Sequence, residues 1–168
     1  MQQPYIPQVD NYNAIEAFVR RVYNPDGRYN IQISPYSYLA RFDDLANGAT
    51  AQQNIQIAAN ADFVVTNPRM TAFLAASGIV QTPMLSLLIT DTGSQEQLMS
   101  EAVPAVTYCG QPEYANESSI LPYPRIISGR SAVAVNVTNF SDLASSPVTY
   151  KRVWIVLAGV LVRGFGTA

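Results

Sequence analysis

The sequence predicts an all-β fold, an antiparallel jelly roll or β-sandwich of about eight strands, preceded by an extended arm and one short helix. Three observations lead there. From residue 29 onward, short apolar runs with period-two alternation are separated by Gly, Pro, Asn and Asp at a spacing near ten residues. Helical periodicity occurs once, near the N-terminus. No internal repeat or linker divides the 168 residues, a length that suits one domain with a substantial core. The chain therefore divides into an arm and helix over 1–28 and a β-sandwich over 29–168.

Residues 1–9 carry no charge and contain Pro4 and Pro7, so an extended, polyproline-II-like arm reaching toward a neighbouring chain is expected. Asn13 then sits three residues before Glu16 in a capping-box arrangement. Ile15, Phe18, Val19 and Val22 follow as one apolar stripe at i, i+3, i+4, i+7. "NPDG" (24–27) closes the helix with turn residues. Such a helix is expected to dock on a partner or to cover an open edge or end of the sheet.

The strands follow in order. "YSYLARF" (36–42), "NIQI" (54–57) and "DFVVT" (62–66) come first, and "NPR" (67–69) reads as a turn before "MTAFLAAS" (70–77). "MLSLLIT" (84–90) runs through "DTGS" into "QEQLM" (95–99). "ILPYPRII" (120–127) has two prolines, which restrict it to an edge or a loop. "SAVAVNVT" (131–138) places Val133, Val135 and Val137 on one face. The final run, "YKRVWIVLAGVLV" (150–162), is apolar on both faces, as expected of a central strand covered on both sides.

Composition narrows function. Charged residues are 13% of the chain, about half the usual share of roughly 25%. So few charges imply a surface partly covered by other chains. Nine Arg against the single Lys151 lean the same way, because guanidinium is weakly hydrated and favoured in interfaces. A net charge of −2 argues against nucleic-acid binding, which needs a basic footprint. His is absent, which excludes Ser-His-Asp and Cys-His catalysis and His-based metal sites. Cys109 has no second Cys to pair with and no basic flank to activate it; it fits synthesis in a reducing cytoplasm. "MQQPYIPQVD" lacks the basic and apolar regions of a signal peptide. The ten-residue apolar run 153–162 is too short to span a bilayer. Neither a cofactor nor a metal is expected.

One motif invites a catalytic reading. "LLITDTGS" (87–94) is how an aspartic protease presents its carboxylate, but that chemistry needs two such groups sharing a proton. The chain has one Asp-Thr-Gly. The nearest companion, "IISGR" (126–130), is interrupted by Ser128 and leads into a strand where a helix should follow. Asp91 is therefore expected to be a turn residue that accepts from the next amides, with no catalytic residues in the chain.

The ordered series "NIQI" (54–57), "ITDTGS" (89–94) with Gln97-Leu98, Val103-Pro104, "ILPYPRI" (120–126), "SAVAVNVTN" (131–139) and Tyr150 to Gly159 resembles small structural proteins of tailed bacteriophage virions. The resemblance covers residues 50–162 and leaves 1–28 outside it. It implies a role in the virion with no catalytic residues, for a protein made in the host cytoplasm; the leading expectation is a capsid cement or decoration subunit that stabilises the head through many contacts with the major capsid protein. Its partners would be virion proteins and copies of itself, with no nucleic acid, membrane or small-molecule substrate. A neck, collar or tail component is the structural alternative, and a carbohydrate-binding adhesion module the functional one. Expected partner contacts are Tyr5, Ile6, Pro7 and Val9 in the arm. Tyr29, Tyr36, Tyr38, Tyr108, Tyr114 and Tyr123 join them, because Tyr is favoured at interfaces.

Overall fold

Period-two alternation becomes two antiparallel sheets packed face to face. The computed structural model describes residues 7–74, 78–80, 82–94, 96–109, 124–141 and 147–164. Sheet A is built on β1 (Gln32–Leu45), β10 (Tyr150–Arg163) and β3 (Asp62–Leu74), in that order. The outer edge of β3 pairs with two short strands, β8 (Arg125–Ile127) at residues 63–65 and β4 (Gly78–Val80) at 72–74. Sheet B is built on β2 (Thr50–Gln56), β9 (Ala132–Asn139) and β5 (Leu85–Asp91). The outer edge of β5 likewise pairs with β6 (Glu96–Gln97) and β7 (Val103–Pro104). A short helix, α2 (Ala105–Cys109), follows β7.

The core is the sum of the two inner faces. Val133, Val135 and Val137 on β9 and Leu85, Leu87 and Ile89 on β5 are fully buried against Val153, Ile155 and Leu157 on β10. The alternation expected for 131–138 is borne out. So is the central position of the last strand, which has β1 on one side and β3 on the other.

Three expectations need correction. "DFVVT" and "MTAFLAAS" are one strand, not two, and β3 runs straight through Asn67 and Pro68. Pro68 lies between the stretches that pair with β8 and β4, a position at which no described strand pairs with that edge. Second, the helix α1 spans Pro7–Tyr23, so residues 7–9 are helical and not part of an extended arm; residues 1–6 lie outside the described set. Pro suits a first helical turn, where its absent N–H is not needed. Asn13 is therefore interior, not a cap, and Glu16 pairs forward with Arg20 at 2.7 Å. Third, the described residues form ten strand segments, because the outer edge of each sheet is shared by two short pieces.

A β-bulge organises the rest of sheet A. The β10–β3 register shifts between Ala158, opposite Asn67, and Gly159, opposite Val65, leaving Thr66 as the extra residue. The inward positions of β3 consequently change from Phe63 and Val65 to Met70 and Ala72. Gly159 is required here, since a Cβ on it would run into the Val64 carbonyl oxygen. Beyond the bulge, Val64, Val160 and Val162 face outward and form a second small core with Val19, Ile15 and Phe18 of α1. The helix covers one end of the outer face of sheet A, not a sheet edge. Tyr23 fastens it, donating to Asp62 Oδ2 at 3.0 Å while Asp62 Oδ1 accepts from the Gly129 amide at 2.7 Å. Val22, expected in the apolar stripe, is 46% exposed.

Candidate functional site

Asp91 ends β5 as the first residue of a tight turn. Its Oδ1 accepts from the Gly93 amide and its Oδ2 from the Ser94 hydroxyl, both at 2.9 Å. The chain then reverses into β6, with Thr90 opposite Gln97. Cys109 is buried, and that burial pushes its thiol up to about 12, far from a nucleophile's range. Among the described residues, no three acidic, Cys or His side chains gather into a metal site. No described helix is long and apolar enough to cross a membrane.

The expected contact tyrosines that are described, Tyr29, Tyr36, Tyr38 and Tyr108, have different surroundings. Tyr29 is exposed, but its backbone is held in the turn after α1 by two bonds with Asn24. Tyr36 is exposed and edge-on to Tyr38 at 4.8 Å. Tyr38 is a core-packing residue, edge-on to Phe63, and its hydroxyl accepts from the Ala58 amide. Tyr108 packs against the core, its hydroxyl buried with no partner among the described residues, and burial raises it to about 12. Pro7 and Val9 lie in α1, whereas Tyr5, Ile6, Tyr114 and Tyr123 lie outside the described residues.

Two other surfaces carry the chemistry. The outer face of sheet B has no ionisable side chain on its three long strands. β2 presents Thr50, Gln52, Asn54 and Gln56 in succession, and the facing positions of β9 and β5 are Thr, Asn, Ala, Ser and Leu. Several of these groups already bond one another. Thr50 and Thr138 hydroxyls meet at 2.7 Å, Gln52 donates to Asn54 at 3.0 Å, and Gln56 donates to the Arg130 and Ser131 carbonyls.

The outer face of sheet A is different. Beyond the ground covered by α1, its register stacks three rungs of outward side chains. Asp43, Arg152, Phe73 and Ile79 form the first, Arg41, Trp154 and Thr71 the second, and Leu39, Val156 and Arg69 the third. Trp154 lies edge-on to Phe73 at 5.2 Å, with the Arg152 guanidinium 5.9 Å from its ring centre. Arg41 and Arg152 both grip Asp43, at 2.9 and 3.1 Å, and hold its carboxyl below the usual range. Leu39 and Ile79 stay 49% and 53% exposed. The Trp154 Nε1–H is shielded from solvent and has no acceptor among the described residues. The expectation that β10 is covered on both faces thus holds only where α1 lies; Trp154 and Val156 are half-exposed. The sequence signal for this face was present in the two-sided hydrophobicity of 150–162, but the Phe73, Ile79, Leu39 and Arg69 contributions were not recognised.

Compared with known proteins, the chain matches no family model, no curated protein and no solved structure. The functional reading therefore stands on the surfaces themselves and on the motif series read from the sequence.

Proposed function

We propose that this protein is a non-enzymatic structural subunit of a tailed-bacteriophage virion, a capsid cement or decoration protein that binds the major capsid protein and assembles in many copies. The observation that carries the reading is the outer face of sheet B, whose three long strands present no ionisable side chain. Burying a charged surface against a partner strips water from each ion, at a cost of several kcal/mol per unpaired group. A face of amides and hydroxyls that already satisfy one another avoids most of that penalty, and a solitary soluble domain has little reason to keep it free of charge. Pressed on a capsid lattice, many such faces bind together by avidity even when each contact is weak. The series from "NIQI" to "YKRVWIVLAG" supports the same reading.

Within this reading the sandwich is a jelly roll. The first and last strands are neighbours in sheet A, and β2 and β9, the second and the next to last, are neighbours in sheet B. With β8 and β7 taken as the edge partners of β3 and β5, in place of β4 and β6, the orders β1-β10-β3-β8 and β2-β9-β5-β7 support two intertwined Greek keys. Counting β6 and β7 as one broken edge strand, and β4 as an addition, gives eight strands.

Quantitative mass spectrometry of purified, washed particles tests the assignment. A cement subunit is expected in copies numbering in the hundreds, whereas a neck or tail ring would give about a dozen. Its absence from particles overturns the virion reading. Gln52→Lys with Leu88→Lys, placing charge on the outer face of sheet B, is expected to abolish incorporation while leaving the isolated protein folded.

A further inference from the structure

We propose that the open half of the outer face of sheet A is a second docking site, which takes a partner-protein segment carrying a large apolar side chain flanked by carboxylates. Three features define the occupant. The first is charge. Three guanidiniums, Arg41, Arg69 and Arg152, surround the aromatic centre, and Asp43 is the one carboxylate on these rungs; the adjacent Asp44 is paired with Lys151. Arg69 has no carboxylate partner among the described residues and reaches the side-chain oxygen of Asn67 at 3.3 Å, in the amide orientation that satisfies both groups. A guanidinium presents paired donors that fit a carboxylate bidentately.

The second feature is the apolar floor. Trp154 and Phe73 form a fixed edge-to-face pair between exposed Leu39 and Ile79. Aromatics ringed by Arg, here half-buried, are the composition of interface hot spots. The indole N–H at the centre also lacks an acceptor among the described residues, which an entering carboxylate supplies once the exposed guanidiniums beside it re-orient.

The third feature is size. Three rungs on strands spaced as in any sheet cover about 14 Å by 14 Å between Cα atoms. That is well short of the roughly 800 Å² per partner of a stable pair of globular chains. A second copy of this chain would also set like charges against each other. A short segment fits both limits. This site does not rest on the virion reading, because it concerns a different face and is tested without particles.

The test is selection of displayed random peptides on the full-length protein, followed by titration of the recovered peptides against fluorescence of Trp154, the single Trp of the chain. Recovered peptides are expected to carry Asp or Glu beside Leu, Phe or Trp. Arg69→Glu and Leu39→Asp should each weaken them by about tenfold or more, and Arg69→Lys by less, because it keeps the charge and loses the fork. Raising salt should weaken binding as well. Both side chains substituted, Arg69 and Leu39, are at the surface, and circular dichroism checks that each variant is folded. Recovery of no peptides, recovery of neutral or basic ones, or affinity indifferent to Arg69→Glu overturns the proposal. So does a dimer in sedimentation that Leu39→Asp dissociates, which would assign the face to a second copy.

Discussion

Gly159→Ala is the most demanding test of the sandwich. The added methyl would run into the Val64 carbonyl oxygen and lie 2.9 Å from the Val64 carbonyl carbon and 3.1 Å from the Val65 Cα. All three are backbone atoms of β3, so no side chain can rotate away. β10 and β3 must separate at the bulge, where the ladder is already interrupted by Thr66. Overpacking of this kind costs about 1–3 kcal/mol, and two ladder hydrogen bonds lost beside it add about 1 kcal/mol each. The sum is about 3–5 kcal/mol. With an unfolding entropy near 2.1 cal/mol/K per residue over this chain, each kcal/mol lowers the melting temperature by about 3 °C. Scanning calorimetry should therefore show a fall of about 9–15 °C. Gly27→Ala is the control, since Gly27 has φ +67° and nothing within 4 Å of an added Cβ. It bears only left-handed strain of about 1–2 kcal/mol, a fall of about 3–6 °C. If the two variants melt together, the argument that Gly159 permits the close strand approach is wrong.

Other outcomes follow from the same geometry. Asn139 is fully buried, donates to the Leu45 and Val148 carbonyls at 3.1 and 2.8 Å and accepts from the Ser141 amide; Asn139→Ala should cost about 3 kcal/mol in denaturant unfolding. Asp91→Asn keeps an acceptor for the Gly93 amide and should stay within about 1 kcal/mol of the parent, whereas Asp91→Ala should lose about 1–2 kcal/mol. Neither parent nor variant should cleave a peptide substrate, and Asp91-dependent cleavage would restore the protease reading. Burial raises the Cys109 thiol and the Tyr23, Tyr108 and Tyr150 phenols. The folded state therefore holds these protons more tightly than the unfolded chain, so their contribution is present at neutral pH and lost as pH rises past the ordinary values of 9.0 and 10.0. Melting temperatures should fall above about pH 9, and a thiol reagent at pH 8 should label Cys109 only after denaturation; rapid labelling of the native protein would contradict its burial.

Local pattern made much of this legible. The alternation in 131–138 needed no partner to be read, because period two is a property of the strand itself. The Asp91 turn was equally local, its acceptors serving amide and hydroxyl two and three residues on. The start of α1 was misread because proline fits both an extended arm and a first helical turn. The break at "NPR" was misread because Pro68 ends a strand only where a paired neighbour needs its N–H, and which strands pair along that edge is a matter of sheet order.

The same division holds for function. By itself the sequence determined an antiparallel β chain with no His, sparse charge and a last strand greasy on both sides, since composition and period are written in neighbouring residues. Only the tertiary structure decided where those properties sit. Pairing residues 39, 73, 79 and 154 across four strands depends on register between segments tens of residues apart, and the bulge at Thr66 resets which β3 side chains face outward. That register gathers Arg and aromatics on one outer face and leaves the three long strands of the other without an outward charge, because hydrogen-bonded strand order, unlike periodicity, is fixed by the whole chain at once.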